Sequence, residues 1–216
     1  MDMLKDQAYQ QLLAMIWSGR LEHDVIYSLN EVAKELDISR TPVRDAVHRL
    51  HDEKRLDLLP SRGFRLHRMT AEEFRQLHHF TVAIEGYCIV SLVEERRAAP
   101  ESPRVMALAD SVSAMARSDL DRLSFKAFYD MDNGFHLALI NSVGDHFVDF
   151  LSQYHLGFVN RPEIHISSLP LDRRAVLDFH RRILDAVLGG DAQGGYRAVR
   201  EHAEYILEHY LTENDA

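Results

Sequence analysis

One aspartate and three histidines occupy positions at which predicted helices in the second half of the chain bury their side chains. Asp132 and His136 are one helical turn apart in an apolar stripe, while His180 and His202 each lie in the stripe of a later helix. A buried carboxylate is unfavourable unless it is paired or binds a cation, and imidazoles with a carboxylate suit Zn²⁺, Ni²⁺, Mn²⁺ or Fe²⁺. Any one histidine could be a hydrogen-bonded core residue, but the four together predict a divalent metal site. The three helices are predicted at residues 121–142, 173–189 and 192–212.

Arginine side chains that could contact DNA are concentrated earlier, in residues 37–50. Ser39 is a suitable N-cap for a helix there, and Arg40, Thr41 and Arg44 lie off its apolar face. Such a helix fits a major groove, in which arginine binds guanine edges or phosphates. The alternative is a solvated amphipathic helix with surface arginines. The apolar face has i, i+3, i+4, i+7 spacing and consists of Val43, Ala46, Val47 and Leu50.

The segments on either side of this helix predict a winged helix-turn-helix. A short helix at residues 29–36 precedes it, and two apolar runs, 56–59 and 64–66, follow it around a Pro/Gly turn. Two such runs around a turn predict a β-hairpin, with Arg62 beside Gly63 at its tip. A helix-turn-helix followed by a basic hairpin is typical of a DNA-binding winged helix.

The distribution of charge agrees with DNA binding by the N-terminal part alone. The whole chain has a formal net charge of −9, but residues 38–69 carry eight Lys and Arg against four Asp and Glu. The acidic remainder would be repelled by phosphate. No apolar run approaches the ~20 residues of a membrane helix, and the N-terminus lacks a signal-peptide pattern. The single cysteine, Cys88, excludes an intrachain disulfide, so we expect a cytoplasmic protein with no membrane partner.

The chain divides into two predicted domains of mainly α-helical structure. Residues 1–69 form the winged helix-turn-helix with its small β-hairpin wing, and residues 70–216 form an all-α helical bundle. Thr70 and Glu73 have the spacing of a capping box at the start of the bundle. The glycine pair at 194–195 predicts that the last helix begins late or frays. Further helices are predicted at 70–97, 103–118 and 145–160, with a loop at 161–172 that could close over a pocket.

Residues 4–66 resemble the DNA-binding domain of the GntR family of bacterial transcription regulators. The resemblance implies that double-stranded DNA is the partner and that Arg40, Thr41 and Arg44 contact it. It also implies that Gly63 enters the minor groove, with Arg62 beside it as a further DNA-binding residue. The motif consists of Ser-Arg-Thr-Pro-Val-Arg at 39–44, Ala46, Leu50 and the wing glycine.

The second half resembles the ligand-binding domain of the FadR subfamily of GntR regulators. Its metal-binding members share Asp-x-x-Phe-His, then His-x-x-Ile-x-x-Ala, then a histidine that follows a Gly-Asp turn. The resemblance implies that four residues bind a divalent ion whose open positions hold the carboxylate of a small organic acid. Those residues are Asp132, His136, His180 and His202, in segments 132–136 and 180–186 and after Gly190-Asp191.

The chain departs from the family pattern at three positions. Asn30 replaces a basic residue of the helix before the reading helix, and Phe179 replaces a glutamate that often precedes the second-helix histidine. Thr81 replaces an arginine that helps to hold acidic effectors. The effector-binding residues are therefore predicted to be Thr81, for an effector with fewer anionic groups, or another anchor such as Arg161. The remaining histidines, including the pair at 78–79, are predicted to be surface or core residues rather than ligands.

These patterns predict a ligand-responsive transcription regulator, acting as a repressor, that binds a palindromic operator as a homodimer. A small carboxylate effector held at the metal site would modulate it. One alternative is a metal-dependent enzyme, although no residue at fixed spacing from the four ligands suggests a general base. The other alternative is a regulator that senses the metal ion itself.

Overall fold

The computed structural model describes residues 2–22, 24–143 and 171–214. These residues form two compact units that divide between Met69 and Thr70. The N-terminal unit contains three helices and a β-hairpin, and the described part of the C-terminal unit is entirely helical. This architecture confirms the predicted fold class of a winged helix-turn-helix followed by an all-α bundle. The predicted helix at 145–160 and most of the loop at 161–172 lie outside the described residues.

The N-terminal unit is built around the apolar face of its third helix. The side chains of Val43, Val47 and Leu50 are completely buried, together with Leu12 of the first helix and Phe64 of the hairpin. The elements are α1 (Asp2–Trp17), α2 (Leu29–Glu35), α3 (Arg40–Asp52), β1 (Leu56–Leu59) and β2 (Gly63–Leu66).

The two helices of the helix-turn-helix differ in the capping of their N-termini. The Ser28 hydroxyl accepts a hydrogen bond from the amide of Asn30 and caps α2. Ser39 occupies the N-cap position of α3 with an extended backbone, but its side chain makes no capping hydrogen bond. Ser39 therefore occupies the expected N-cap position, but its hydroxyl does not accept the hydrogen bond from a first-turn amide that a capping serine usually accepts.

The wing is a two-stranded antiparallel hairpin in which Leu56 pairs with Leu66 and Leu59 with Gly63. Its second strand also bonds to the segment before α2, because Tyr27 and Phe64 exchange backbone hydrogen bonds of 2.7 and 3.0 Å. This close approach requires a glycine at position 63. A Cβ atom there would lie 2.0 Å from the Tyr27 carbonyl oxygen, and the φ of +126° is unfavourable for other residues.

Within the described part of the C-terminal unit, five helices surround one apolar core. Thr70 and Glu73 form the predicted capping box at the start of the first of them. The helix predicted at 121–142 begins later, since the Ser124 hydroxyl accepts from the amide of Ala127 and fixes the start at Phe125. The helices are α4 (Ala71–Ala98), α5 (Pro103–Arg117), α6 (Phe125–Ile140), α7 (Arg173–Gly189) and α8 (Ala192–Asn214).

The last helix contradicts the prediction that its glycine pair would delay or fray it. Helix α8 begins at Ala192, and the Oδ1 atom of Asp191 accepts from the amide of Gly194 at 2.9 Å. Gly195 is buried against α4, where an added Cβ would lie 2.5 Å from Cγ2 of Ile89. Close packing of α8 on α4 thus outweighs the low helix propensity of glycine.

Cys88 lies in the core of the C-terminal unit, where it is free and completely buried. Burial raises the pKa of its thiol to about 12, and the nearby Glu85 acts in the same direction. Cys88 therefore acts as a small apolar residue of the core. Within the described ranges, none of the helices combines the length and apolar character that crossing a membrane requires.

Candidate metal centre and nucleic-acid interface

The four residues with metal-ligand chemistry meet inside the C-terminal unit. Helix α6 supplies Asp132 and His136, α7 supplies His180 and α8 supplies His202. Each offers one ligand atom, and these four atoms lie within 4.8 Å of one another. The three histidines are buried and the aspartate is partly buried. The structure therefore brings together all four residues that the sequence singled out, and we name them the His/Asp cluster.

Distances within the His/Asp cluster fit ligands of one ion. Nε2 of His180 lies 3.3 Å from Oδ1 of Asp132, and Nε2 of His136 lies 3.9 Å from the same oxygen. Nε2 of His202 lies 3.4 Å from Nε2 of His136. Two ligands about 2.1 Å from a tetrahedral ion are about 3.4 Å apart. These three distances are therefore close to the spacing of ligands on one ion.

Several polar atoms of the cluster are buried without a hydrogen bond in the described part of the chain. They are Oδ1 of Asp132, both ring nitrogens of His180 and Nδ1 of His202. The 3.3 Å approach between His180 and Asp132 is not a hydrogen bond, because the two groups are not aligned for one. Buried polar atoms without partners are rare in folded proteins. A shared cation would satisfy those that face the cluster centre.

Glu85 of α4 completes the surroundings of the cluster and was missed in the sequence. It is almost entirely buried, and its Oε1 atom accepts from Nδ1 of His136 at 2.8 Å. A carboxylate in this position fixes the ring and leaves Nε2 as the nitrogen available to an ion. In the sequence, the position of Glu85 four residues before Ile89 and seven before Leu92 indicated a buried side chain on α4, but not its contact with His136.

The histidines of the cluster differ in their pKa values. Burial lowers the pKa of His180 well below its usual range, helped by repulsion from His202 and His136. Burial and His136 likewise lower the pKa of His202 to about 3. Burial also disfavours the charged form of His136, but the carboxylates of Glu85 and Asp132 outweigh it and raise the pKa to about 9. The rings of His180 and His202 are therefore neutral at pH 7, whereas the ring of His136 carries a second proton and a positive charge.

Aromatic packing holds two of these rings in place. Phe135 stacks on His180 with ring centroids 3.7 Å apart and an interplanar angle of 10°. Phe179 lies 5.4 Å from the ring centroid of His202. Phenylalanine at position 179 therefore supports a cluster residue by ring contact.

A cavity of about 70 Å³ adjoins the His/Asp cluster within the C-terminal unit. Asp132, His136 and His202 form one part of its wall, and Thr81 lies in another part. Thr81, one of the two predicted effector-binding residues, is therefore placed at a cavity beside the cluster. Arg161, the other, lies outside the described residues.

The N-terminal unit has a groove between its third helix and the wing. Arg40, Arg44 and His48 follow one another at intervals of four residues on the exposed face of α3 and line this groove. Asn30 of α2 also lines it, and its volume is about 400 Å³. His48 was missed in the sequence, although its spacing from Arg44 places it on the same helical face. Thr41 is exposed but does not line the groove.

The wing forms the opposite side of this groove. Arg62 is exposed in the turn between the strands, and both Arg62 and Gly63 line the groove. Gly63 lies at the start of β2 and is partly buried against Tyr27. Four of the five predicted DNA-binding residues thus line one groove, whose rim carries three arginines.

Comparison with known proteins identifies both units. Residues 4–66 match the family described as bacterial regulatory proteins, gntR family, and residues 68–205 match the FCD domain. An uncharacterized HTH-type transcriptional regulator of Streptomyces ambofaciens is 27% identical over 204 residues, covering 93% of this chain and 82% of that protein.

Solved structures of regulators share the fold. A GntR transcriptional regulator from Rhodococcus sp. RHA1 aligns with a TM-score of 0.75 and 17% identity, covering 96% of this chain and 97% of that one. The McbR/YncC protein of E. coli aligns with a TM-score of 0.68 and 16% identity over 98% of both chains. The Streptomyces and Rhodococcus proteins are described as transcriptional regulators, which is the predicted class. The chain belongs to the GntR family of bacterial transcription regulators, as a member of the FadR type with an FCD domain.

Proposed function

We propose that this transcription regulator is a homodimeric, cytoplasmic repressor whose DNA affinity responds to a small organic acid at a metal-containing site. Residues 1–69 would bind a palindromic operator. Residues 70–216 would hold the metal ion and the effector and form the dimer. The observation that carries this proposal is the buried His/Asp cluster beside a cavity in the FCD domain.

The donor set supports a resident divalent ion. Three imidazoles and one carboxylate suit Zn²⁺, Ni²⁺, Mn²⁺ or Fe²⁺, and an ion held by four protein ligands can keep positions open for a further ligand. Glu85 orients His136 toward the cluster centre. The metal-free FCD domain of another transcriptional regulator aligns with a TM-score of 0.54 and 15% identity over 68% of this chain. That alignment supports the shared fold alone.

The groove of the N-terminal unit supports DNA binding through α3 and the wing. Arg40 and Arg44 would bind base edges or phosphates in a major groove, and Arg62 would follow the adjacent backbone. Thr41 at the exposed start of α3 is a further contact to phosphate. One winged helix reads only a few base pairs, so a dimer on a palindrome is needed for useful specificity.

The effector response requires different affinities for two forms of the dimer. A ligand that binds the DNA-competent and DNA-incompetent forms equally shifts nothing. The cluster draws its residues from α6, α7 and α8, so a ligand at the cavity would change the packing of those helices. That change would reach the N-terminal unit through the chain connection at Met69–Thr70, and release from DNA is the proposed result.

A second candidate function is direct sensing of the metal ion. This candidate is favoured because the four cluster residues come from three helices, so that binding of the ion alone would hold those helices together. In the proposed function the ion is permanent and the acid is the signal. In the second candidate the ion itself is the signal.

The test is a titration of DNA affinity under three conditions. An operator is first selected from random duplexes with the purified full-length protein and then labelled for fluorescence anisotropy. Affinity is measured for metal-free protein, for protein loaded with Zn²⁺, and for loaded protein with a panel of small carboxylic acids. The proposal expects a change only when an acid is added. A change on adding Zn²⁺ alone favours metal sensing, and no response to metal or acid contradicts both.

A further inference from the structure

The cavity beside the His/Asp cluster is lined by two chemically different groups of side chains, and the inference drawn from them rests on the function proposed above. Asp132, His136 and His202 form one group. Other parts of the wall are formed by apolar side chains of α4 and α8. These are Phe74, Leu77, Ala203 and Ile206.

The charge of this wall restricts the number of carboxylates that the cavity can accept. Among the described residues that line it there is no lysine or arginine, while Glu85 and Asp132 bring two carboxyl groups to the part beside the cluster. An effector carboxylate can be neutralised there by a divalent ion. A second carboxylate would be buried against apolar side chains without a cationic partner, which is strongly unfavourable.

The size of the cavity restricts the length of the ligand. Because about 10–15 Å³ of such space is enough for one water molecule, a cavity of about 70 Å³ has room for several waters or for a small organic molecule. A chain of a few carbon atoms would displace water from Leu77 and Ile206, and burial of apolar surface stabilises such a complex.

His78 provides a polar group in the wall that no other part of the described structure uses. Both ring nitrogens are inaccessible to solvent and make no hydrogen bond within the described residues, and the side chain lines the cavity one helical turn before Thr81. Burial and the neighbouring His79 lower the pKa of His78, so the ring is neutral at pH 7 and has one N–H to donate. A ligand in the cavity would satisfy this donor, which is costly to leave unpaired.

We infer that the effector is a short aliphatic monocarboxylic acid and that His78 is a residue that recognises it. The carboxylate lies beside the cluster and accepts a hydrogen bond from the His78 ring. The hydrocarbon chain lies against Leu77 and Ile206. Dicarboxylic acids of equal length are disfavoured, because the second carboxylate has no cationic partner among the described residues that line the cavity.

The first test compares two acids of four carbons on the full-length protein loaded with Zn²⁺. Isothermal titration calorimetry with butanoate and with succinate measures both affinities at one pH and ionic strength. Butanoate is expected to bind at least about tenfold more tightly, since one buried unpaired charge separates the two acids. Equal or tighter binding of succinate overturns the inference, and so does the absence of binding by butanoate and its three- and five-carbon homologues.

The second test changes the wall. His78→Phe keeps an aromatic ring of similar size but removes both nitrogens, and it should weaken butanoate binding about tenfold. His79→Phe, at the exposed neighbour, is the matched control and should leave the affinity unchanged. Thr81→Arg adds a cation to the wall and should shift the preference toward succinate. Wild-type affinity in His78→Phe, or an unchanged preference in Thr81→Arg, contradicts the assignment.

Metal analysis of the same samples separates this inference from the proposed function. If the protein retains Zn²⁺ but prefers succinate, the inference of a monocarboxylate effector is wrong, while the proposed metal site still stands. A protein that retains no Zn²⁺ contradicts the metal site itself. His78→Phe should also keep the wild-type metal content, because His78 does not belong to the His/Asp cluster.

Discussion

His136 and His202 face each other across the interior of the C-terminal unit with their Nε2 atoms 3.4 Å apart. On the far side of its ring, His136 donates its Nδ1 proton to Glu85. Because the pKa of His136 is raised to about 9, its Nε2 atom also carries a proton at pH 7 and can donate it to Nε2 of His202, and an ion bound between the two rings would replace this proton. This arrangement connects α4, α6 and α8 through two imidazoles and one carboxylate, and the predictions on metal binding follow from it.

Replacing Glu85 should weaken metal binding without removing a ligand. Glu85→Gln removes the carboxylate that orients His136 and raises its pKa, and removal of such an outer partner weakens metal affinity by about 10–100-fold. Competition with a chromophoric chelator measures the affinity. Glu94→Gln, at an exposed position on the same helix, is the control. Identical affinities of both variants would show that the hydrogen bond between Glu85 and His136 does not support an ion.

Metal affinity should rise with pH from pH 7 toward pH 9. The pKa of His136 is raised to about 9 in the metal-free protein, so an ion must displace one proton from this ring at lower pH. His180 and His202 are already neutral there, because their pKa values are lowered. Displacement of one proton corresponds to about a tenfold tighter dissociation constant per pH unit. A flat profile over this range, measured with a chelator of known protonation, contradicts the assignment of the proton to His136.

Two arginines of α3 should carry specific DNA binding. Arg40→Ala and Arg44→Ala each remove an exposed side chain from the groove beside the wing, and each should weaken operator binding by about 1–3 kcal/mol if the arginine reads a base. Anisotropy with the selected operator and with unrelated duplex DNA measures specific and non-specific affinity. Arg117→Ala, at an exposed position in the C-terminal unit, is the control. If both α3 variants bind the operator like the wild type, α3 is not the reading helix.

Gly63→Ala should destabilise the wing whether or not DNA is present. The new Cβ would meet the Tyr27 carbonyl, and the positive φ is unfavourable for alanine. A cost of at least about 1 kcal/mol is expected from the backbone conformation alone. Denaturant unfolding measures it, with Gly189→Ala as the control because an added Cβ there meets no atom within 4 Å. Unchanged stability would contradict the conclusion that the close approach to Tyr27 requires glycine at position 63.

Helical periodicity was enough to predict the described helices and to place Asp132, His136, His180 and His202 on inward-facing positions. The fold class and the family followed from these patterns and from the motif at residues 39–44. That prediction succeeded because each helix has one apolar face that must be covered, and a polar residue within this face is conspicuous.

Features that depend on packing between distant segments were missed or misjudged. The role of Glu85 arises only because α4 approaches α6, and no spacing along either helix reveals that approach. The glycine pair in α8 was expected to fray the helix, yet Gly195 lets α8 approach Ile89 of α4. The prediction that His78 is a surface or core residue and not a metal ligand stays a prediction, and its unpaired ring nitrogens in the cavity wall become evident only in the folded unit.

The most direct measurement is the metal content of purified full-length protein, by plasma mass spectrometry after loading and exhaustive dialysis. We expect one divalent ion per chain in the wild type and almost none in the His136→Ala/His180→Ala double variant, which should also lose the effector response while binding the operator without metal. A His79→Ala variant should keep full occupancy. Full occupancy in the double variant, or a wild type that retains none of Zn²⁺, Ni²⁺, Mn²⁺ and Fe²⁺, would contradict metal binding by the His/Asp cluster.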